Sequence, residues 1–198
     1  MSKPVNIALG VMTLFLVALV SLFVVTSDKS LAEKPRSLDS LGGDFTLTAH
    51  SGKVSLSDYR GKAVVMYFGF LTCPEVCPSS MTTISTALNR LDADEASQTQ
   101  AILVSVDPKR DTIKELAEYA QFYHPRLVGL TGNKEQIDSV TNQYGAYYDF
   151  SEIESVTADY GVEHSSRYYV IDRDGKLVTA MRHSTTPNEL AAQIKELL

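Results

Sequence analysis

The strongest constraint on this chain is the run at residues 63–70, AVVMYFGF, eight positions of aliphatic, aromatic and glycine residues with no charge. Strict alternation would mark a strand with one wet face. A continuous apolar run of this length, rich in β-branched and aromatic side chains, marks a strand buried on both faces. Such a strand needs cover on each side, which points to a layered α/β domain.

The surrounding pattern supplies those layers. Phe45, Leu47 and Ala49 alternate with polar residues, Ser51-Gly52 makes a turn, and Val54 and Leu56 alternate again, which reads as an N-terminal hairpin. Residues 78–91 place Met81, Ile84, Leu88 and Leu91 on one helical face. Residues 101–106 read as a second buried strand. Thr112 and Glu115 form a capping box ahead of a helix, residues 126–130 a short strand, and residues 134–144 a helix that Gly145 ends. The Tyr-rich residues 146–163 are mixed in pattern, irregular or a hairpin. Residues 167–171 and 176–181 read as strands joined by the turn Arg173-Asp174-Gly175. Thr186, Pro187 and Glu189 open a C-terminal amphipathic helix. The order βαβαβα followed by ββα implies a mixed central sheet with helices on both faces, and a thioredoxin-like α/β/α sandwich fits it.

The first part of the chain differs. Residues 5–25 are 21 positions without a charge. As a helix they would be about 31 Å long, close to the thickness of a bilayer core. The stretch exceeds the roughly 7–15 residues of a secretory h-region, so an uncleaved anchor is preferred to a cleaved signal peptide, although Ser30 and Ala32 offer small residues before a cleavage point. No cysteine follows it closely, which excludes a lipoprotein anchor. Lys3 favours an N-terminus inside, while Lys29, Lys34 and Arg36 pull the other way. With the N-terminus inside, the domain stands in the periplasm or an equivalent extracytoplasmic space, where disulfides are permitted. The expected organisation is a transmembrane anchor or signal segment over 1–26, a polar tether over 27–43 and one domain over 44–198. Of 18 Lys plus Arg and 24 Asp plus Glu, only Lys3 lies before residue 27, so the remainder carries 17 positive and 24 negative side chains. No basic cluster tracks a phosphate backbone, and nucleic acid is excluded as a partner.

The two cysteines of the chain, Cys73 and Cys77, stand directly after the most apolar strand and before a helix. That is the carboxyl end of a strand, where open α/β sheets place their sites. Pro78 suits the first helical position, which makes Cys77 the expected N-cap, with its thiol acidified by the helix end. Three residues separate the pair, so the loop can close as a disulfide or open to clamp an ion. A purely structural bridge is the plainest alternative, but across so short a loop it removes little chain entropy.

Four histidines are present. His50 falls at a hairpin turn, His124 at a helix end before Pro125, and His183 in a polar loop; each reads as structural. His164 stands just ahead of the strand 167–171, and in a thioredoxin-like order its loop returns near the mouth of the first central strand. Two thiolates and one imidazole are a soft three-donor set that suits Cu(I) and, with an added oxygen ligand, tolerates Cu(II). A structural zinc site would want a fourth protein ligand.

Three blocks carry a family resemblance: Phe68-Gly69-Phe70-Leu71-Thr72-Cys73-Pro74-Glu75-Val76-Cys77-Pro78; Ser105-Val106-Asp107-Pro108-Lys109-Arg110-Asp111-Thr112, with His124-Pro125-Arg126 and Gly129-Leu130-Thr131-Gly132 after it; and the segment from Tyr160 to Gly175 that contains His164. In this order, behind an apolar segment, they resemble the Sco family, membrane-anchored copper proteins of cytochrome c oxidase assembly, over about residues 44–198. The resemblance implies Cys73, Cys77 and His164 as copper ligands, a thioredoxin-like fold, and the oxidase copper-site subunit as partner, with other copper chaperones or thiol reductants as further partners. Asp107 then becomes a supporting or partner-contact residue, or simply part of a charged turn and cap.

Three functions compete. The first is a metallochaperone that delivers copper to the binuclear copper centre of the oxidase. The second is a thiol–disulfide oxidoreductase in which Cys73 and Cys77 are the redox-active pair that reduces copper-site cysteines of the oxidase. The third, a peroxiredoxin-like peroxidase, is disfavoured by a second cysteine so close and by a proline after each. Asp172, Asp174 and Gly175 mimic a calcium loop, but the glycine comes too early and the twelfth position is His183, so they read as a hairpin turn.

Overall fold

The computed structural model describes residues 37–151 and 161–198, together with the helical positions Leu16 and Ser21. The chain divides into two compact units, Met1–Arg36 and Ser37–Leu198. The apolar stretch 5–25 lies outside the described residues apart from Leu16 and Ser21, as does the tether up to residue 36. Among the described residues no helix is long and apolar enough to cross a membrane.

The second unit opens with a 3-10 turn, Leu38–Ser40, and residues 42–43 are tied to the domain by Gly42 N–H donating to the Gln143 carbonyl and by the Tyr144 hydroxyl donating to the Gly43 carbonyl. The expected hairpin forms from β1 (Thr46–Ala49) and β2 (Gly52–Ser55). The apolar run becomes β3 (Ala63–Gly69), every residue of it buried. The chain then runs through α1 (Val76–Leu88), a short α2 (Ala93–Ser97), β4 (Thr99–Ser105), α3 (Ile113–Tyr123), β5 (Leu127–Leu130) and α4 (Lys134–Gln143). It closes with β6 (Tyr148–Ser151), β7 (Gly161–His164), β8 (Arg167–Ile171), β9 (Leu177–Arg182) and α5 (Pro187–Lys195).

Five strands form the central sheet in the order β5-β4-β3-β8-β9. β3, β4 and β5 are parallel, while β8 and β9 run antiparallel to their neighbours, so the sheet is mixed as expected. The β3 and β4 positions are the interior of this sheet, which is why β3 is apolar throughout and β4 is apolar over residues 101–104. Successive side chains of β3 point to opposite faces. The Phe68 ring packs on Tyr144 and Tyr169, with centroids 6.3 and 5.2 Å away, and so faces the α4 side. Tyr67 takes the other face, where it meets Tyr168 and His164.

The capping boxes read at Thr112 and Thr186 are present, each with Glu three residues on, and a third at Asn133 uses Gln136. The short α2 was not expected; it is capped by Asp92 with Glu95 but contributes no buried residue, so it leaves no apolar periodicity to read. The ambiguous segment 146–163 contains a hairpin, β6 paired antiparallel with β7, whose connection at 152–160 lies outside the described residues. Asp172 Oδ1 accepts from the Asp174 and Lys176 amides at 3.0 and 2.8 Å, so that loop is a turn as read.

Ile102, at the centre of β4, is fully buried. Replacing it with Ala is expected to lower unfolding free energy by about 2–5 kcal/mol, read as a lower urea midpoint at unchanged m-value. A loss below about 0.5 kcal/mol, the range of surface substitutions, would contradict the placement of this strand.

Candidate metal centre

β3 ends at Gly69, and a short loop carries the chain from there into α1. The helix begins at Val76, with Glu75 as an N-cap that makes no side-chain capping bond. Cys77 is therefore the second helical residue and Pro78 the third, where Cys77 was expected to be the cap itself. The reason is that proline is tolerated throughout a first turn, because the N–H it lacks has no intrahelical partner there. The sulfur of Cys73 takes over the capping role and accepts the Cys77 N–H at 3.3 Å.

That shift reverses the expected roles of the two thiols. The hydrogen bond from the Cys77 thiol, backed by the Cys77 and Glu75 amides and by His164, pulls the Cys73 pKa down to about 5. The same shared proton, together with burial, pushes the Cys77 thiol far up. Cys73 is the thiolate at neutral pH, and it lines an open cleft with Phe70, Pro74, Val76, Val162 and His164. Cys77 is 1% exposed. Both cysteines are free thiols in this structure.

His164 is the last residue of β7 rather than part of a loop, and its Cα partner is Tyr148 of β6. The next residue is tied back as well: Ser165 N–H donates to the Tyr147 carbonyl and Tyr147 N–H to the Ser165 hydroxyl, both at 2.8 Å. Two aromatic edges fix the imidazole, Tyr67 at 5.9 Å between centroids and Phe70 at 5.6 Å. Nε2 then lies 3.4 Å from Cys77 Sγ, and Nδ1 is buried with no hydrogen-bond partner among the described residues. One donor atom each from Cys73, Cys77 and His164 lie within 4.8 Å of one another, and among the described residues this is the one such group of three.

The other histidines stay apart from this group. His50 and His183 are exposed. His124 caps the C-terminus of α3, and its Nδ1 accepts the Arg126 N–H at 3.1 Å. Burial, and then Arg126, lower its pKa, so it acts as a neutral acceptor and not as the cation that would complement a helix end.

Several supporting residues were not singled out from sequence. Gly69 lies against the cysteines: a Cβ there would sit 2.9 Å from Cys77 Sγ, so only glycine leaves room for that sulfur. Tyr67 and Phe70 orient His164, and the signal available for them was their place at the end of β3. Asp107 is fully buried and ion-paired with Arg110, so its side chain offers nothing to a partner's surface. The carboxylate that bonds to the cysteine loop is Asp111, whose Oδ2 accepts the Leu71 N–H at 3.0 Å. Burial raises the Asp111 pKa.

A family model described as SCO1/SenC matches residues 33–198. The chain is 40% identical over 135 residues to the bovine mitochondrial SCO2 homologue, covering 67% of this chain but only 50% of that protein's length. It is 33% identical over 198 residues to a SCO2-like protein of Rickettsia felis, covering 96% of this chain and 93% of that one. Among solved structures, copper-bound ScoI of Bradyrhizobium japonicum is similar with a TM-score of 0.72 at 35% identity, over 80% of this chain and 99% of that one.

The thiol assignment is testable in the reduced, metal-free protein. Iodoacetamide is expected to alkylate Cys73 with a pH midpoint near 5, because only the thiolate reacts and its fraction falls as pH drops through the depressed pKa. Peptide mapping should find Cys77 unmodified at that pH. A Cys73 midpoint at about pH 8 or above, the ordinary thiol range, would contradict the assignment.

Proposed function

This chain belongs to the SCO1/SenC family, and we propose that it is a copper metallochaperone that holds one copper ion on Cys73, Cys77 and His164 and passes it to the binuclear copper centre of cytochrome c oxidase. One observation carries the reading: two sulfur donors and an imidazole nitrogen, brought from segments 87 residues apart, converge within 4.8 Å at the edge of an open cleft. This is a soft donor set suited to Cu(I), and the ion is cargo rather than a resident cofactor. The copper in the Bradyrhizobium relative supports the choice of metal.

The chain's own residues explain how cargo is both held and released. Cys73 is already a thiolate at neutral pH, so it needs no deprotonation before it takes up a cation. Cys77 loses its proton as the ion arrives, which makes uptake proton-linked. Tyr67 and Phe70 keep the imidazole edge-on, so Nε2 points at the sulfurs without rearrangement. On the cleft side, a partner's thiol reaches Cys73 first, and release proceeds by stepwise displacement of one sulfur and then the other. The partner that fits is the oxidase copper-site subunit. We place the domain outside the cytoplasm, held by residues 5–25 as an anchor with the N-terminus inside.

A second reading rests on the inequality of the two thiols. An acidified, cleft-lining sulfur with a more deeply buried thiol behind it is the arrangement of an exchange pair. Cys73 would attack a partner disulfide and form a mixed disulfide; Cys77, once deprotonated, would attack Cys73 Sγ, leaving a Cys73–Cys77 disulfide and the partner as a dithiol. The disulfide form cannot ligate copper through those sulfurs, so one pair can serve both functions in sequence.

Titration of the reduced protein with Cu(I), using a competing chelator, and with Cu(II) is expected to saturate at one equivalent, with thiolate-to-copper absorption in the cupric form. His164→Ala should weaken binding by at least about tenfold, the lower end of what loss of even an outer partner costs a metal site. Unchanged affinity would remove His164 from the ligand set. No binding by the unmodified chain would leave thiol exchange alone.

A further inference from the structure

We infer that Asp111 is a positioning residue for the cysteine loop: its buried carboxylate grips the Leu71 amide and so fixes where Cys73 Sγ sits relative to Cys77 and His164. Asp111 lies in the turn between β4 and α3, forty residues from the loop it holds, and it is 3% exposed. One oxygen, Oδ2, accepts both the Leu71 N–H at 3.0 Å and the Ser105 hydroxyl at 2.6 Å. Leu71 stands two residues before Cys73, in the stretch that joins β3 to α1. Within that stretch the Cys73 N–H makes a long bond, 3.4 Å, to the Phe70 carbonyl, Pro74 has no N–H to give, and the Glu75 amide is turned onto Cys73 Sγ. The Leu71 amide is where the turn between β4 and α3 holds this loop, and a carboxylate acceptor holds it more strongly than a neutral group would.

Other uses of this carboxylate are accounted for. The cap of α3 is formed by Thr112 with Glu115, so the helix does not need Asp111. Asp107 carries the ion pair with Arg110. A carboxylate buried in this position is costly unless its hydrogen bonds repay the lost hydration, and its donors among the described residues, the Leu71 amide and the Ser105 hydroxyl, both flank the sulfur site. The same turn also touches the histidine side, because the Arg110 guanidinium lies 5.9 Å over the Phe70 ring, which packs on His164. Asp111 serves the cysteine half of the site and Arg110 the histidine half.

The copper arm of the test rests on the proposed metal reading, whereas the amide arm does not. In the full-length, reduced, metal-free chain, Asp111→Ala is expected to speed hydrogen exchange at the Leu71 amide by at least about tenfold, with the amides of residues 64–68 in β3 unchanged. Its copper affinity should fall by about 10–100-fold, the range seen when groups behind metal ligands are lost. Asp111→Asn keeps an acceptor of the same shape without the charge and should lie between Asp111→Ala and the unmodified chain in both measurements. If Asp111→Ala does not fold, Asp111→Asn carries the comparison: faster exchange at Leu71 with residues 64–68 unchanged supports the inference, and no change at Leu71 overturns it. Unchanged Leu71 exchange in Asp111→Ala overturns it as well, as does exchange that rises equally through residues 64–68. So does unchanged copper affinity where the unmodified chain binds copper. If the unmodified chain binds none, the metal reading fails, and Leu71 exchange alone still decides the role of Asp111.

Discussion

The hydrogen bond from the Cys77 amide to the Cys73 sulfur closes the first turn of α1 and seats that sulfur at the helix end. A thiolate in the place of the usual serine or aspartate cap satisfies a helix donor and gains the favourable field of the helix end. The cap adds to the acidity of Cys73, whose larger cause is the hydrogen bond from the Cys77 thiol. The bond between the two sulfurs is what makes the cysteines differ so strongly. That hydrogen bond lowers the Cys73 pKa and, together with burial, raises that of Cys77.

Everything else at the site keeps that pair in reach of His164. β3 contributes from its interior and from its end: Tyr67 and Phe70 press on the imidazole, and Gly69 leaves the space that Cys77 Sγ fills. The hairpin of β6 and β7 delivers the histidine from the far side. Because β3 is the middle strand of a mixed sheet, its position is set by partners on both edges and by cover on both faces. A site built at the mouth of such a strand rests on a strand paired on both edges and buried on both faces, the kind of support that ordered approach of three donors requires.

Much of this was legible in the chain itself, for specific reasons. Central strands buried on both faces leave continuous apolar runs, so β3 and β4 could be read directly, and the Thr112 and Thr186 capping boxes marked helix starts that the structure keeps. The cysteine pair was visible because it follows the most apolar strand. The errors lie where local sequence is indifferent to register. Proline suits any of the first helical positions, so Pro78 did not locate the cap, and the acid thiol was assigned to Cys77 where the structure gives it to Cys73. His124 was read as structural at a helix end, and it is: burial lowers its pKa and its Nδ1 accepts the Arg126 N–H. Asp107 and Asp111 stand four residues apart in one polar turn, and only the tertiary fold shows that the second reaches the cysteine loop.

The central claim is that Cys73, Cys77 and His164 bind one soft cation together. X-ray absorption of the copper-loaded protein tests it most directly, because scattering from sulfur and from an imidazole ring are distinguishable in the same spectrum. The account predicts two sulfur neighbours and one imidazole per copper, with the imidazole signal gone in His164→Ala and the sulfur signal lost when both cysteines are replaced by serine. A spectrum with only oxygen and nitrogen neighbours, or an imidazole signal that survives in His164→Ala, would contradict it.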